Sequence, residues 1–299
     1  MANLGLYLKV VRPHIVAGGF LGYSSGALLA LLRGGAFDLN MFILGYAVVL
    51  FGDLSTHFSN DYYDVELDRI SLRKTFDGSN TLVEHPEVRS QALAVAAALS
   101  AASLLFALSM VHLFGSPPLL LALVAVSNLF GWLYSAPPIR LNARGLGEAT
   151  IALGTGFAVP AVGFIATAGT IDQAFIKFSA PLVLYGLILS LSLEIPDLEV
   201  DREYGKRNLV VLLCRRPATI LILLLSVSAT ALFSLFGSGS LSHDWVVPLL
   251  SMIPILASLA GFLARIDSQT EADRASAINI SALSLFLVAL DGYLLLNII

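Results

Sequence analysis

The chain has a single cysteine, Cys214, so it cannot form an internal disulfide. Its five histidines, at positions 14, 57, 85, 112 and 243, never stand closer than 27 residues apart, which excludes the local spacing of a zinc site. Charge is scarce: Asp, Glu, Lys and Arg make up 13% of the residues, against roughly a quarter in a soluble domain. The net charge of −4 decides little, because where the charges stand matters more than their sum.

What fills the chain instead is hydrocarbon. Of the 299 residues 57% are hydrophobic and the mean hydropathy is +0.83, far outside the range of an ordinary soluble domain. Mostly apolar runs recur at about 15–32, 41–59, 91–113, 117–134, 148–169, 175–195, 218–237, 245–264 and 275–298. Each is close to the ~20 residues that a helix needs to cross a bilayer. The sequence therefore predicts an all-α integral membrane protein with nine transmembrane helices in one polytopic domain, 1–299. Lys9 and Arg12 precede a full-length apolar segment with no clear small-residue cleavage site, so the first run is expected to stay as a span.

Basic residues set the expected orientation. Of the 17 lysines and arginines, only Arg33 and Lys177 fall outside the N-terminal tail and the loops after spans two, four, six and eight. That bias predicts a cytoplasmic N-terminus and a C-terminus outside.

The second run leads directly into Asn60-Asp61-Tyr62-Tyr63-Asp64-Val65-Glu66-Leu67-Asp68. At about 100° per residue, Asn60, Asp64 and Asp68 share one face of a helix continuing out of the span, and the stripe extends back to His57 and Asp53. A charge at that depth costs roughly 2.5–3.5 kcal/mol on insertion scales, so the default reading is a functional cavity. Span six ends in a second cluster, Glu194-Ile195-Pro196-Asp197-Leu198-Glu199-Val200-Asp201, with Asp197 and Asp201 again four apart. One cluster closes span two and the other closes span six, so spans one to four and five to eight are expected to be a diverged structural repeat with span nine added.

Two groups of carboxylates at one membrane depth repel unless cations lie between them. Hard oxygen ligands favour Mg²⁺, which completes its shell with water and phosphate oxygens. The nearby basic residues Arg73, Lys74, Arg140, Lys206 and Arg207 suit an anion, and Arg12 stands where it is either a phosphate contact or an interfacial anchor. A diphosphate bridged by Mg²⁺ fits this better than a lone cation, and an isoprenyl diphosphate has the right shape, a charged head at the interface and a hydrocarbon tail within the bilayer. Asp53 or His57, on the same stripe, is placed to take a proton from a reacting group.

Asn60-Asp61-x-x-Asp64-x-x-x-Asp68, Asp197-x-x-x-Asp201 and, between them, Tyr134-Ser135-x-Pro137-Pro138-x-Arg140-Leu141 resemble the motifs of the UbiA family of intramembrane prenyltransferases over roughly residues 10 to 215. The resemblance implies Mg²⁺-dependent transfer of a prenyl group from its diphosphate to an acceptor, usually an aromatic ring. It implies metal binding by Asn60, Asp64, Asp68, Asp197 and Asp201, and a diphosphate pocket lined by Arg73, Lys74, Tyr134 and Arg140. Lys206 and Arg12 are expected as further diphosphate contacts, and Asp61 and Glu194 behind the ligands. Asn-Asp-Tyr-Tyr-Asp and Asp201-Arg-Glu-x-Gly-Lys-Arg-Asn-Leu209 are most similar to the menaquinone branch, which implies a dihydroxynaphthoate-like acceptor. Three residues depart from the pattern: Asn142 stands where many members of the family carry lysine, Asn80 where arginine is expected, and Pro196 where the naphthoate branch tends to have arginine. Other acceptors in view are further quinone precursors, a glycerol-phosphate lipid headgroup and a haem or chlorophyll precursor. The expected setting is the cell membrane, with membrane lipid as a partner, an active site on the cytoplasmic side and no nucleic acid.

A different class, an acid-lined cation transporter, shares the acidic spans but not the surplus of basic residues at one interface. The D-G-x-x-A-R pattern of CDP-alcohol phosphotransferases and the Gly-x-Gly-Asp of intramembrane aspartyl proteases are absent.

Overall fold

The computed structural model describes residues 4–70, 75–76, 80–236, 245–264 and 266–299. Among them are nine helices long and apolar enough to cross a membrane: α1 (Pro13–Leu32), α2 (Leu39–Tyr63), α3 (Pro86–Phe114), α4 (Pro118–Ser135), α5 (Gly147–Ala168), α6 (Gln173–Glu203), α7 (Arg215–Leu235), α8 (Val246–Leu263) and α9 (Gln269–Leu296). No strand occurs among the described residues. In lipid each backbone polar group must be satisfied inside its own segment, and helices do this. Large apolar side chains such as Leu113, Leu129, Leu224, Leu235 and Leu256 point outward, the exposure suited to lipid.

Local chemistry sets the helix ends. Pro13 opens α1, where a missing N–H costs nothing. Asp38 and Asp172 cap α2 and α6 by accepting from Met41 N at 3.0 Å and Phe175 N at 2.8 Å. Ser268 and Glu271 form a reciprocal capping box at the start of α9.

Small residues set the closest crossings. A Cβ on Gly26 of α1 would lie 1.9 Å from the Pro160 carbonyl oxygen of α5, and one on Gly163 would lie 2.0 Å from that of Tyr23. α2 lies along α3 and meets α4, α6 lies between α5 and α7, and α9 packs on α1, α6 and α8.

Two apolar cores fill the bundle, one around Phe175, Tyr185, Leu191 and Phe286, the other around Tyr23, Val48, Met110 and Leu120. A third covers the end where the acidic motifs stand. There Leu6 and Val10 of the N-terminal helix Leu4–Val10 join Phe58, Val65, Val88 and Leu82, the last on the short helix Thr81–Glu84. Thr75 donates from N and Oγ1 to Asp273 of α9 at 2.9 and 2.7 Å, so the chain after α2 reaches the first turn of α9.

Candidate active site

The expected single helix through Asn60, Asp64 and Asp68 is interrupted. α2 stops at Tyr63, Asp64 stands at φ −97°, ψ 8°, and a separate turn, Val65–Asp68, follows. The hydrogen-bond ladder bridges the joint, from Asp64 N to Asn60 O and from Asp68 N to Asp64 O, both 2.9 Å. Leu67 N shares the Asp64 carbonyl at 2.9 Å, which tightens the turn and re-aims it. Simple periodicity does not register such a joint.

Asp64 is fixed from the far end of α4. Ser135 Oγ donates to its Oδ2 at 2.8 Å, and Asn142 Nδ2 donates to the same oxygen at 3.2 Å and to Ser135 Oγ at 3.0 Å. Its other oxygen, Oδ1, is buried without a hydrogen-bond partner, and so is Asn60 Oδ1. Buried acceptors are rarely left unmatched, so these two oxygens mark a place for a donor or a cation.

The second motif follows a similar break. Pro196 tightens the backbone into the turn Ile195–Asp197, and the helix resumes over Leu198–Glu203. Asp201 is 2% exposed. It accepts from Lys206 Nζ at 2.9 Å on Oδ1 and from Asn208 Nδ2 at 2.7 Å on Oδ2. Burial works against the charged form of Lys206, but the carboxylates of Asp201, Asp64 and Asp197 outweigh it and hold its pKa above the usual lysine value. The Lys206 ammonium thus pairs with Asp201 of the second motif and lies within electrostatic reach of Asp64 of the first.

The 205–208 loop is held against the 140–145 loop by Arg207 N donating to Ala143 O at 3.1 Å. Gly145 permits that approach: its φ is +73°, and a Cβ there would lie 2.9 Å from Arg207 O.

Tyr134 is partly buried at the end of α4, within electrostatic reach of Glu194, Asp64, Glu148 and Asp201. Glu194 accepts from Ser190 Oγ at 3.2 Å, and Glu148, 2% exposed, accepts from Leu209 N. Each of these glutamates keeps a buried oxygen, Oε2, with no hydrogen-bond partner.

The remaining candidates divide. Arg12 donates from Nη2 to the buried Asp61, so its charge is already met within the protein. His57 Nε2 lies 3.4 Å from Asp53 Oδ1 on the same stripe of α2. Asp68 and Asp197 are half-buried at the same end. Arg140 is exposed there, at φ 47°. Arg73 and Lys74 lie outside the described residues.

In the sequence Asn142 stands out only as a departure, and Ser135, Glu148 and Asn208 carry no evident role. Glu148 had a signal, being a carboxylate at the head of an apolar run. Asn142 and Ser135 had none, because what they touch is set by the fold.

Among the described residues no three His, Cys, Asp or Glu side chains converge closely enough to cage a metal alone. Mg²⁺ needs no such cage, since it is held by one or two carboxylates together with water and phosphate oxygens. The unmatched oxygens of Asn60, Asp64, Glu148 and Glu194 are hard donors of the right kind.

The family model described as the UbiA prenyltransferase family matches residues 20–288. The 1,4-dihydroxy-2-naphthoate octaprenyltransferase of Bacillus subtilis (strain 168) is 23% identical over 257 residues, 85% of this chain and 81% of that protein. The digeranylgeranylglyceryl phosphate synthase of Thermococcus kodakarensis is 27% identical over 217 residues, 71% and 70% of the two chains. Among solved structures, a UbiA homolog from Archaeoglobus fulgidus bound to DMAPP and Mg²⁺ superposes with a TM-score of 0.76 at 18% identity, covering 98% of each chain.

Proposed function

The chain belongs to the UbiA prenyltransferase family, and from that premise we propose that it moves an isoprenyl group from its diphosphate to a hydroxylated aromatic acceptor of the quinone-precursor, dihydroxynaphthoate-like class, with Mg²⁺ as cofactor. The observation that supports this reading is the set of contacts joining the two motifs: Asn142 donates to Asp64 at 3.2 Å, its neighbour Ala143 O accepts from Arg207 N at 3.1 Å, and Lys206 Nζ pairs with Asp201 at 2.9 Å. Acids more than 100 residues apart in sequence are thereby linked at one end of the bundle. The acid-lined transporter gives way to the enzyme once the family is known.

Asn60, Asp64, Asp68 and Asp197 would hold the metal, with Asp201 positioning Lys206 beside it. Bound Mg²⁺ would supply the positive charge that stabilises diphosphate as its bond to carbon breaks. Lys206, Arg140, Arg73 and Lys74 meet the rest of the diphosphate charge. Ser135 and Asn142 fix the carboxylate of Asp64 so that its free oxygen is aimed before substrate arrives. Tyr134 stands within electrostatic reach of Asp64 and Asp201, one acid from each motif. The electron-rich acceptor takes the prenyl carbon and then releases a proton.

The placement of the basic residues supports a site opening to the cytoplasm. A second reading, prenyl transfer to a glycerol-phosphate lipid, is favoured by the Thermococcus relative. Purified protein with Mg²⁺, labelled geranylgeranyl diphosphate and a panel of acceptors separates the two, with products identified by mass. The expected product is a prenylated aromatic. A prenylated glycerol-phosphate lipid alone would select the second reading, and diphosphate binding unaffected by chelator and by Asp64→Ala would overturn both.

A further inference from the structure

Four consecutive residues after the second motif are each tied to the site. Gly205, at φ +72°, turns the chain out of α6, and Lys206 N donates back to Asp201 O at 2.9 Å. From there Lys206 Nζ meets Asp201 Oδ1 at 2.9 Å, and Arg207 N donates to Ala143 O at 3.1 Å, next to the Asn142 that holds Asp64. Asn208 Nδ2 donates to Asp201 Oδ2 at 2.7 Å, while Asn208 Oδ1 accepts from Val211 N at 2.8 Å and caps the short helix Leu209–Leu213. Leu209 N donates to Glu148 Oε1. Among these ties, the last is the one that reaches α5.

Glu148 is 2% exposed, and a carboxylate so buried is costly unless it is bonded. As the second residue of α5 it stands where a helix dipole favours an acid, but that preference asks for no distant partner. Among the described residues, the hydrogen bond it accepts comes from Leu209, 61 residues further along the chain. Take Glu148 away, and the hydrogen bonds left to residues 206–209 run to Asp201, to Ala143 or to their own short helix. Leu209 N would then be unmatched, and the strap would lose its hold on α5.

We propose that Glu148 is a positioning residue for the diphosphate: by holding Leu209 N it keeps the 206–209 strap seated across both motifs, so that the Lys206 ammonium is aimed before substrate arrives. The inference rests on the prenyl-transfer reading and adds a residue to it. A backbone N–H asks only for a hydrogen-bond acceptor, so the amide oxygen of glutamine would serve where the side chain of alanine could not. The same logic sets Glu148 apart from a metal ligand. Its other oxygen, Oε2, is buried and unmatched, and if that atom held Mg²⁺ the charge itself would be needed.

The test uses the whole protein in detergent and measures binding of geranylgeranyl diphosphate as Mg²⁺ is varied. Glu148→Ala is expected to weaken binding about 10- to 100-fold, while the Mg²⁺ concentration for half-maximal binding stays within about twofold. Glu148→Gln should recover most of the lost affinity. In a Lys206→Ala background, Glu148→Ala should add less than about threefold, because both changes act through one ammonium. Hydrogen exchange at residues 206–213 should quicken in Glu148→Ala and stay at the wild-type rate in Glu148→Gln. Should Glu148→Ala fail to fold, the glutamine variant decides alone: retained binding supports the proposal, and a folded variant that has lost tenfold or more overturns it. A Mg²⁺ requirement raised in Glu148→Ala, or a full additional loss in the Lys206→Ala background, would overturn it too. Failure of wild type to bind geranylgeranyl diphosphate would instead overturn the prenyl-transfer reading.

Discussion

Asp64 and Asp197 share one backbone conformation, φ −97° with ψ 8° and φ −92° with ψ 0°. It is the sparsely allowed bridge region, where active-site residues are often found. Each stands at the joint between a long apolar helix and a short one that carries the second acid of its motif, Asp68 or Asp201. The likeness lies in backbone shape as well as in spelling, and it supports the reading of spans one to four and five to eight as diverged halves.

Both joints are therefore expected to matter to the same step. Asp64→Asn and Asp197→Asn keep side-chain size and remove charge, and each should weaken Mg²⁺-dependent binding of geranylgeranyl diphosphate by on the order of 100-fold. Chelator should bring wild type down to the level of the variants and leave the variants unchanged. A loss confined to one of the two would break the equivalence of the motifs.

The helices and the acids were readable because their signals are local. Apolar length gives the nine spans, and a carboxylate within or against such a run stands out by its cost. The joint at Asp64 was not readable, because the residues around it keep helical spacing while the turn is tightened by a shared carbonyl. Nor could sequence spacing pair Arg12 with Asp61 or Asn142 with Asp64, contacts that depend on how helix ends meet.

Asn142 and Ser135 act through Asp64 and not on substrate. The double variant Asn142→Ala, Ser135→Ala frees Asp64 Oδ2 to rotate and should raise the Mg²⁺ concentration needed for half-maximal diphosphate binding by about 10- to 100-fold. Saturating Mg²⁺ should restore most of the binding, which separates this outcome from unfolding. A defect that no amount of Mg²⁺ repairs would count against a positioning role.

At the other end of the bundle, Asp172 caps α6 and accepts from Arg33 Nε at 2.8 Å. Its partial burial pushes its pKa up, but the bonds from Phe175 N and Arg33 outweigh that and hold it below the ordinary 3.8. A depressed carboxylate stabilises the fold above its unfolded value, and that stabilisation is lost as the pH falls through the folded value. Asp172→Ala should therefore cost about 1 kcal/mol near neutral pH, mostly from the cap, since the ion pair is a third exposed and screened. The gap from wild type should close below pH 3.8. Unfolding of both proteins followed against pH would show it, and a gap constant down to acid would contradict the assignment.

The crossing of α1 and α5 offers the sharpest test of the packing, because its atoms cannot give way. A methyl group on Gly26 would lie 1.9 Å from the Pro160 carbonyl oxygen and 2.7 Å from its carbon, both backbone atoms of the neighbouring helix. Relief requires the two helices to part, so Gly26→Ala is expected to cost about 1–3 kcal/mol. Gly292→Ala in α9 is the control, since a Cβ there meets nothing within 4 Å and alanine is favoured over glycine inside a helix by about 0.5–1 kcal/mol. Thermal unfolding in one detergent should lower the midpoint for the first variant and raise it slightly for the second. Equal stability of the two variants would mean that α1 and α5 do not cross at Gly26.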